Sequence, residues 1–132
     1  MEELLEYHRH VNIMIKEYNP SMEYDLKKYY PDAFSKIREV RRQRMYEKVL
    51  LNMKKGKDEG LYRSDLKEEI IARLHVSRIE NLFEAELFTV NEWTSEKFFL
   101  EVFVYHIRGI ANNNGIKVLE QKLKELHREE NE

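Results

Sequence analysis

Residues 56–65 read GKDEGLYRSD, and this stretch follows a long helical pattern. Glycine tolerates the left-handed backbone conformation in which helices end, so Gly56 or Gly60 can close the preceding helix. Asp65, followed by Glu68, can cap the next helix through reciprocal hydrogen bonds to unpaired amides. We therefore interpret residues 56–65 as a joint at which one helix stops and another begins.

A second joint separates the last two helices of the pattern, where residues 108–115 read RGIANNNG. Together, the two joints resemble those of the C-terminal, effector-binding and dimerisation domain of TetR-type transcriptional repressors. In that family, a Gly-x-x-Glu-Gly joint, with an aromatic residue, an arginine and an aspartate after it, precedes the middle of the domain. An Arg-Gly-Ile-Ala-like joint sits near its end. The resemblance extends from about Asn19 to about Leu126.

This resemblance implies a regulator of the bacterial cytoplasm. TetR-like repressors are homodimers in which the final two helices form a four-helix bundle with their symmetry mates. A helix-turn-helix head at the N-terminus reads DNA, whereas residues 1–18 of this chain look like the connecting helix that would follow such a head. The resemblance thus implies the sensing half of a repressor, with DNA as a partner only through a head absent from this chain. Effector identity, operator sequence and the choice between induction and corepression are not readable from it.

Composition limits the class of protein. The 132 residues fit one domain, residues 1–132, and the 23 basic and 25 acidic residues give a formal net charge of −2. This charge supplies no general attraction to nucleic acid. The chain has no cysteine, which excludes disulfides and cysteine-based metal sites and fits a reducing cytoplasm. No apolar run approaches the roughly 20 residues that span a bilayer, and the N-terminus does not look like a signal peptide, so we expect a cytoplasmic protein without a membrane partner.

Apolar spacing is helical nearly throughout the chain, and only four glycines and two prolines interrupt it. We therefore expect an all-α fold of about six helices in an orthogonal-type bundle. The first helix carries an apolar stripe from Leu4 to Tyr18 and ends before Pro20. The later helices are expected at about 21–29, 32–55 and 66–88, then from Thr94 or Ser95, and finally after Gly115.

The last two helices predict a homodimer. The sixth has a narrow apolar seam with 3-4-3 spacing, which suits packing against another helix. The fifth helix has two apolar sides, and a domain core rarely needs both, so one side is expected to contact a second subunit. The alternative interpretation is a core helix that its own chain buries on all sides. The candidate interface residues are Leu100, Val104, Ile107, Arg108, Ala111, Ile116, Leu119, Leu123 and Leu126.

Two polar residues of the fourth helix indicate an effector site. His75 and Arg78 fall inside the stripe formed by Ile71, Leu74, Ile79 and Leu82. They have three possible roles: ligand contact, a contact at an interface, or a structural bond with Glu101 or Tyr46. The other candidate wall residues, each of which is also a plausible core residue, are Tyr46, Met53, Trp93 and Phe103.

Other chemistry has little support in the sequence. Lys36, Arg38, Arg41, Arg42 and Arg44 could track phosphates, but Glu39 and Glu47 interrupt this run and solvation of an exposed helix face explains it as well. No metal-ligand spacing, nucleophile elbow or phosphate loop occurs, so we expect no enzyme, no cofactor and no metal. The expected function is sensing of a small, partly apolar effector. The alternative is a helical protein-interaction or assembly module without a small ligand.

Overall fold

The structure is a computed structural model of the chain and describes residues 1, 6, 20–84, 87–93 and 95–130. These residues are organised as helices, which confirms the predicted all-α class. In chain order the helices are α1 (Pro20–Tyr29), α2 (Pro31–Asp58), α3 (Glu68–Glu84), the single turn α4 (Val90–Trp93), α5 (Glu96–Ile110) and α6 (Asn113–Glu130). The predicted first helix, with its stripe from Leu4 to Tyr18, lies outside the described residues.

Pro31 separates α1 from α2. A proline has no amide donor, so it is tolerated in the first turn of a helix, where that donor has no helical acceptor. The residue before it, Tyr30, takes a φ of −133°, outside the helical range, as expected for a residue that precedes proline. From Pro31, α2 continues for 28 residues to Asp58, close to the predicted extent.

Gly60 ends α2 in a Schellman motif. Its φ is +74°, its amide bonds to the Lys57 carbonyl at 3.0 Å, and the next amide, of Leu61, bonds to the Gly56 carbonyl at 2.9 Å. Of the two glycines considered, Gly60 is therefore the terminator. Gly56 lies within α2, where the ring of Tyr62 covers it so closely that a β-carbon would overlap the ring.

The capping box predicted for α3 is wrong. The Asp65 carboxylate accepts hydrogen bonds of 2.9 and 3.2 Å from the Arg63 guanidinium, and the Glu68 carboxylate lies 3.3 Å from the Lys57 ammonium. Helix α3 begins at Glu68, so residue 67 occupies its N-cap position and Asp65 lies two residues too early to cap it. Lys57 also donates to the carbonyl of Leu66, which ties the end of α2 to the start of α3.

A reciprocal capping box occurs instead at the start of α4. The Glu92 amide donates to the Thr89 hydroxyl at 3.2 Å, and the Thr89 amide donates to the Glu92 carboxylate at 3.2 Å. This box explains why a turn of helix forms where the apolar pattern lapses. Leu87 and Phe88, which the sequence placed at the end of the preceding helix, are not helical.

The two glycine joints lie against each other. The Arg63 amide donates to the Ile110 carbonyl at 2.8 Å, and the Asn112 amide donates to the Leu61 carbonyl at 2.9 Å. These two bonds form a single antiparallel bridge, which we call the joint bridge. Since it consists of main-chain groups, it fixes the segment before α3 relative to the segment between α5 and α6.

Asn112 strengthens the joint bridge and caps α6. Its side-chain amide donates to the Gly60 carbonyl at 2.8 Å, and its side-chain oxygen accepts from the Gly115 amide at 2.9 Å. The helix thus starts at Asn113, slightly before the predicted position. Gly115 faces the other joint so closely that a β-carbon there would overlap the Leu61 carbonyl oxygen.

The core forms around α5. The buried apolar residues of this helix are Phe99, Phe103, Ile107 and Ile110. The core extends to residues of α2, α3 and α6 and to the segment between α2 and α3, among them Val49, Met53, Tyr62, Ala72 and Leu119. Burial of large apolar side chains of this kind is the main favourable term in folding. Along the described segments, no helix combines the length and the hydropathy needed to cross a bilayer.

The face that α3 turns to the core differs from the predicted stripe. Ala72, Val76 and Ile79 are buried, whereas Leu74, which the sequence placed in the stripe, is 52% exposed. The small side chain of Ala72 lies on this buried face and suits the close packing of α3 along α2. Large apolar residues alone were therefore a poor guide to the orientation of this helix.

Candidate functional site: a buried histidine pair

His75 of α3 and His106 of α5 stack on each other in the core. The ring centroids lie 3.7 Å apart and the ring planes are inclined by 24°. Only 1% of His75 and 5% of His106 is exposed. We call these two residues the histidine pair. The sequence placed His75 on the buried face of its helix, but His106 was missed.

Two nitrogens of the histidine pair lack a hydrogen-bond partner within the described residues. They are Nδ1 of His75 and Nε2 of His106. Buried polar atoms are nearly always bonded, and an unsatisfied one costs roughly 1–3 kcal/mol. Neither of the structural partners considered for His75, Glu101 and Tyr46, bonds to it in the described parts of the chain. These open nitrogens are therefore a feature that simple packing does not explain.

Both imidazoles are neutral near pH 7. Burial, reinforced by the nearby charge of Arg78, lowers the pKa of His75 from 6.5 to about 4. Burial also lowers the pKa of His106, to about 2, with smaller contributions from His75 and Arg78. A neutral imidazole has one N–H donor and one acceptor, so each open nitrogen is available for a hydrogen bond in one of the two roles.

An aromatic ring and one cation lie close to the pair. The Phe103 ring meets the His75 ring edge to face, with centroids 5.5 Å apart and an angle of 70°. Arg78 is half-buried, and its guanidinium carbon lies 5.0 Å from the centroid of the largely exposed Tyr105 ring. Arg78 has no acidic partner among the described residues. This argues against the structural ion pair that was considered for it.

The other candidate effector residues are less informative. Met53 is completely buried, and Tyr46 is half-buried against the same core. The structure thus brings His75 and Phe103 into contact and places Arg78 near them, while Met53 and Tyr46 have positions that core packing explains. The side chain of Trp93 lies outside the described part of the structure.

A groove of about 450 Å³ lies elsewhere, at the junction of α1 and α2. Its lining residues are Lys27, Pro31, Phe34, Ser35, Arg38, Glu39 and Arg42. None of the candidate effector residues lines this groove. The cations beside it interact with the aromatic ring of Phe34, from which the Lys27 ammonium lies 6.0 Å and the Arg38 guanidinium 5.7 Å.

The basic run on α2 is mostly solvent-exposed. Lys36, Arg41 and Arg44 are exposed, and the Arg42 guanidinium forms an ion pair with Glu80 of α3 at 2.7 Å. Exposed pairs of this kind contribute about 0–1 kcal/mol to stability. Solvation and ion pairing are thus sufficient to explain this charge.

The predicted dimer residues fall into two groups. Ile107, Ala111 and Leu119 are buried within the single chain, so they belong to its core and do not present an outward apolar face. Arg108 is exposed. The residues that remain half-buried, and hence available to a second subunit, are Leu100, Val104, Ile116, Leu123 and Leu126. The dimer interface itself stays a prediction, and Arg108 with these five half-buried residues keeps surface accessible in the single chain.

The residues that the structure describes contain no group of three His, Asp or Glu side chains arranged to hold a metal ion. Comparison of the chain with protein-family models, with curated proteins and with solved structures gives no match. The functional proposal therefore depends on the sequence motifs and on the geometry of the histidine pair and the joint bridge.

Proposed function

We propose that this chain is the ligand-sensing and dimerisation domain of a TetR-like transcriptional regulator. A small, partly apolar effector binds beside the histidine pair and shifts the equilibrium between two arrangements of a homodimer. A DNA-binding head attached before residue 1 responds to that shift. The chain itself performs no catalysis and contacts DNA only through the head.

The joint bridge is the observation that carries this proposal. The resemblance to TetR-type repressors rests on two joints that are distant in sequence, and these joints bond to each other through their main chains. One joint precedes α3, which holds His75, and the other precedes α6, which holds the apolar seam. A displacement of α3 around an effector therefore has a direct main-chain connection to the dimer helices.

Dimerisation is supported by the half-buried residues of α5 and α6. Leu123 and Leu126 follow the buried Leu119 along the seam, and each leaves apolar surface uncovered by its own chain. Removal of such surface from water favours association by roughly 25 cal/mol per Å² before the costs of association are subtracted. A second copy of the same seam offers a matching surface, as a two-fold axis requires.

A reporter assay tests the proposal. A helix-turn-helix head that binds its operator only as a dimer is fused before Met1, and repression of a reporter gene is measured. We expect repression by the wild-type fusion and loss of repression by Leu123→Asp at equal protein level. A stable wild-type fusion that fails to repress would contradict the dimerising role.

A second candidate function is a helical protein-interaction module without a small ligand. It is favoured by large exposed side chains on α1, on α2 and at the residue between them, namely Met22, Tyr24, Tyr29, Tyr30, Ile37 and Val40. The coding sequence upstream of Met1 separates the two candidates. An in-frame helix-turn-helix there favours the sensor, and a native translation start at Met1 favours the module.

A further inference from the structure

Burial of the histidine pair costs desolvation free energy that the packing of α3 against α5 does not require. Two apolar side chains of similar volume would fill the same space between α3 and α5 without desolvating two imidazoles. The pair instead leaves Nδ1 of His75 and Nε2 of His106 open within the described residues. Polar groups held at such a cost are typical of sites where stability is reduced for function.

The ring geometry defines how a bonding group reaches these nitrogens. Imidazole nitrogens form hydrogen bonds in the plane of the ring. Each ring of the pair covers one face of the other at 3.7 Å, which leaves the ring edges as the route to the open nitrogens. A polar group can therefore bond to an open nitrogen only from the edge of the ring that carries it.

This geometry does not suit a metal ion. Two imidazoles that share one ion must both contain it in their ring planes, and planes inclined by only 24° at a separation of 3.7 Å do not meet close to the rings. A third ligand is also lacking in the described part of the chain. The open nitrogens are thus suited to hydrogen bonding.

The charges around the pair favour an uncharged ligand. Both imidazoles are neutral, and Arg78, the cation that acts on them, is only half-buried and lies over the Tyr105 ring. A carboxylate brought beside the pair would lose its hydration without a buried cation to replace it, which is costly. Burial of an uncharged hydroxyl, amide or carbonyl group costs much less hydration free energy than burial of a carboxylate.

We infer that the histidine pair is the polar anchor for a small uncharged ligand, whose hydroxyl, amide or carbonyl group bonds to one of the two open nitrogens, Nδ1 of His75 or Nε2 of His106. The apolar part of the ligand packs against Phe103. This inference rests on the proposed sensing function and names the ligand class for it. Since the described residues enclose the pair, the ligand separates α3 from α5 when it binds, as in sites that open only with their ligand.

The first test measures urea unfolding at pH 8 for His75→Leu and His106→Leu. We expect midpoints equal to or above that of the wild type, because an open polar group is replaced by an apolar side chain of similar volume. His127→Leu, at an exposed histidine of α6, is the matched control. Midpoints that fall well below both wild type and control would show structural bonds to these imidazoles and would overturn the inference.

The second test adds benzamide, benzyl alcohol or benzoate to wild-type protein at pH 8 and follows the ring-nitrogen resonances of the histidines by ¹⁵N NMR. We expect benzamide or benzyl alcohol to shift the resonances of His75 and His106 but not that of His127. Benzoate should bind at least about tenfold more weakly, because its charge loses hydration. When the histidine that holds the ligand is replaced by leucine, the shift should also disappear from the other histidine of the pair.

The outcomes separate this inference from the proposed function. If an uncharged probe raises the melting temperature while both histidine resonances stay unchanged, the anchor is wrong and sensing at another site survives. If benzoate binds more tightly than benzamide, the ligand class is wrong. If no probe changes either measurement, the anchor is overturned, and the reporter assay still decides on dimerisation independently.

Discussion

Gly115 lies so close to Leu61 that a β-carbon on the glycine would overlap the carbonyl oxygen of the leucine. The same β-carbon would lie 2.9 Å from the β-carbon of Ala111. The obstacle is mostly backbone, which cannot rotate away as a flexible side chain can. Close approach of the two joints therefore requires glycine at position 115.

Gly115→Ala should destabilise the chain by about 1–3 kcal/mol, because the added methyl group forces the joints apart. Gly109→Ala is the matched control, since Gly109 lies in the last turn of α5 and a β-carbon there meets no atom within 4 Å. Alanine at that helical position should stabilise by about 0.5–1 kcal/mol. Urea unfolding measures both, and equal effects of the two substitutions would contradict the joint bridge as described.

Asn112→Ala should reduce the free energy of unfolding by about 1–2 kcal/mol, because it removes the α6 cap. It also removes the hydrogen bond to the Gly60 carbonyl. Asn114→Ala, at an exposed residue of the first turn of α6, is the control and should be nearly neutral. Circular dichroism during denaturant titration provides the measurement; an Asn112→Ala protein as stable as the control would contradict the role assigned to Asn112.

Stability should fall as the pH is lowered through the histidine range. The folded-state pKa of His75 is lowered from 6.5 to about 4, so the unfolded chain binds protons first. The contribution of His75 to the free energy of unfolding is complete above about pH 6.5 and is lost as the pH falls toward 4. For His106, with a pKa of about 2, the loss continues below pH 4.

When the pH is lowered from 7.5 to 5, the shifted pKa of each histidine of the pair should reduce the free energy of unfolding by about 2 kcal/mol. Urea titrations of wild type, His75→Leu and the exposed-site control His127→Leu at the two pH values test this. The first variant should lose less stability on acidification than the other two proteins. An identical loss in all three would mean that His75 is charged or exposed in the folded state.

The isolated chain should show no sequence-specific affinity for DNA. Arg41 and Arg44 are exposed but lie in a protein of net charge −2, and Arg42 forms an ion pair with Glu80. Any binding should be weak, independent of sequence and abolished by moderate salt. Fluorescence anisotropy with one duplex and its scrambled version measures this, and nanomolar preference for either duplex would show that α2 reads DNA.

Sequence reasoning predicted the positions of the joints well because glycine and proline impose backbone constraints that do not depend on the rest of the fold. Gly60 and Pro31 end and start helices by local geometry alone. The contact between the joints could not be predicted in the same way. It is a long-range pairing of main-chain groups, and nothing in the local pattern specifies which segments meet.

The histidine pair was only half predicted. His75 was identified as a polar residue on an apolar face, and the same test applied to α5 would have found His106, which follows Phe99 and Phe103 at helical spacing. The large apolar residues around His106 dominate the pattern of this helix. Leu74 was misplaced for the same reason, because the small Ala72 and Val76 mark the buried face of α3.

The proposed sensing depends on the dimer, because the effector acts by shifting the equilibrium between two arrangements of the paired subunits. Leu123 is half-buried on α6 and should be completely covered by the partner's seam. Asp at this position places a charge in the apolar contact and should abolish association. Leu51, an exposed leucine of α2 that is 68% accessible, provides the matched control.

Sedimentation equilibrium at micromolar concentration is the most direct measurement of this claim. We predict a dimer for the wild type and for Leu51→Asp, and a folded monomer for Leu123→Asp. A wild-type chain that sediments as a monomer of full stability, and that Leu123→Asp leaves unchanged, would contradict the account.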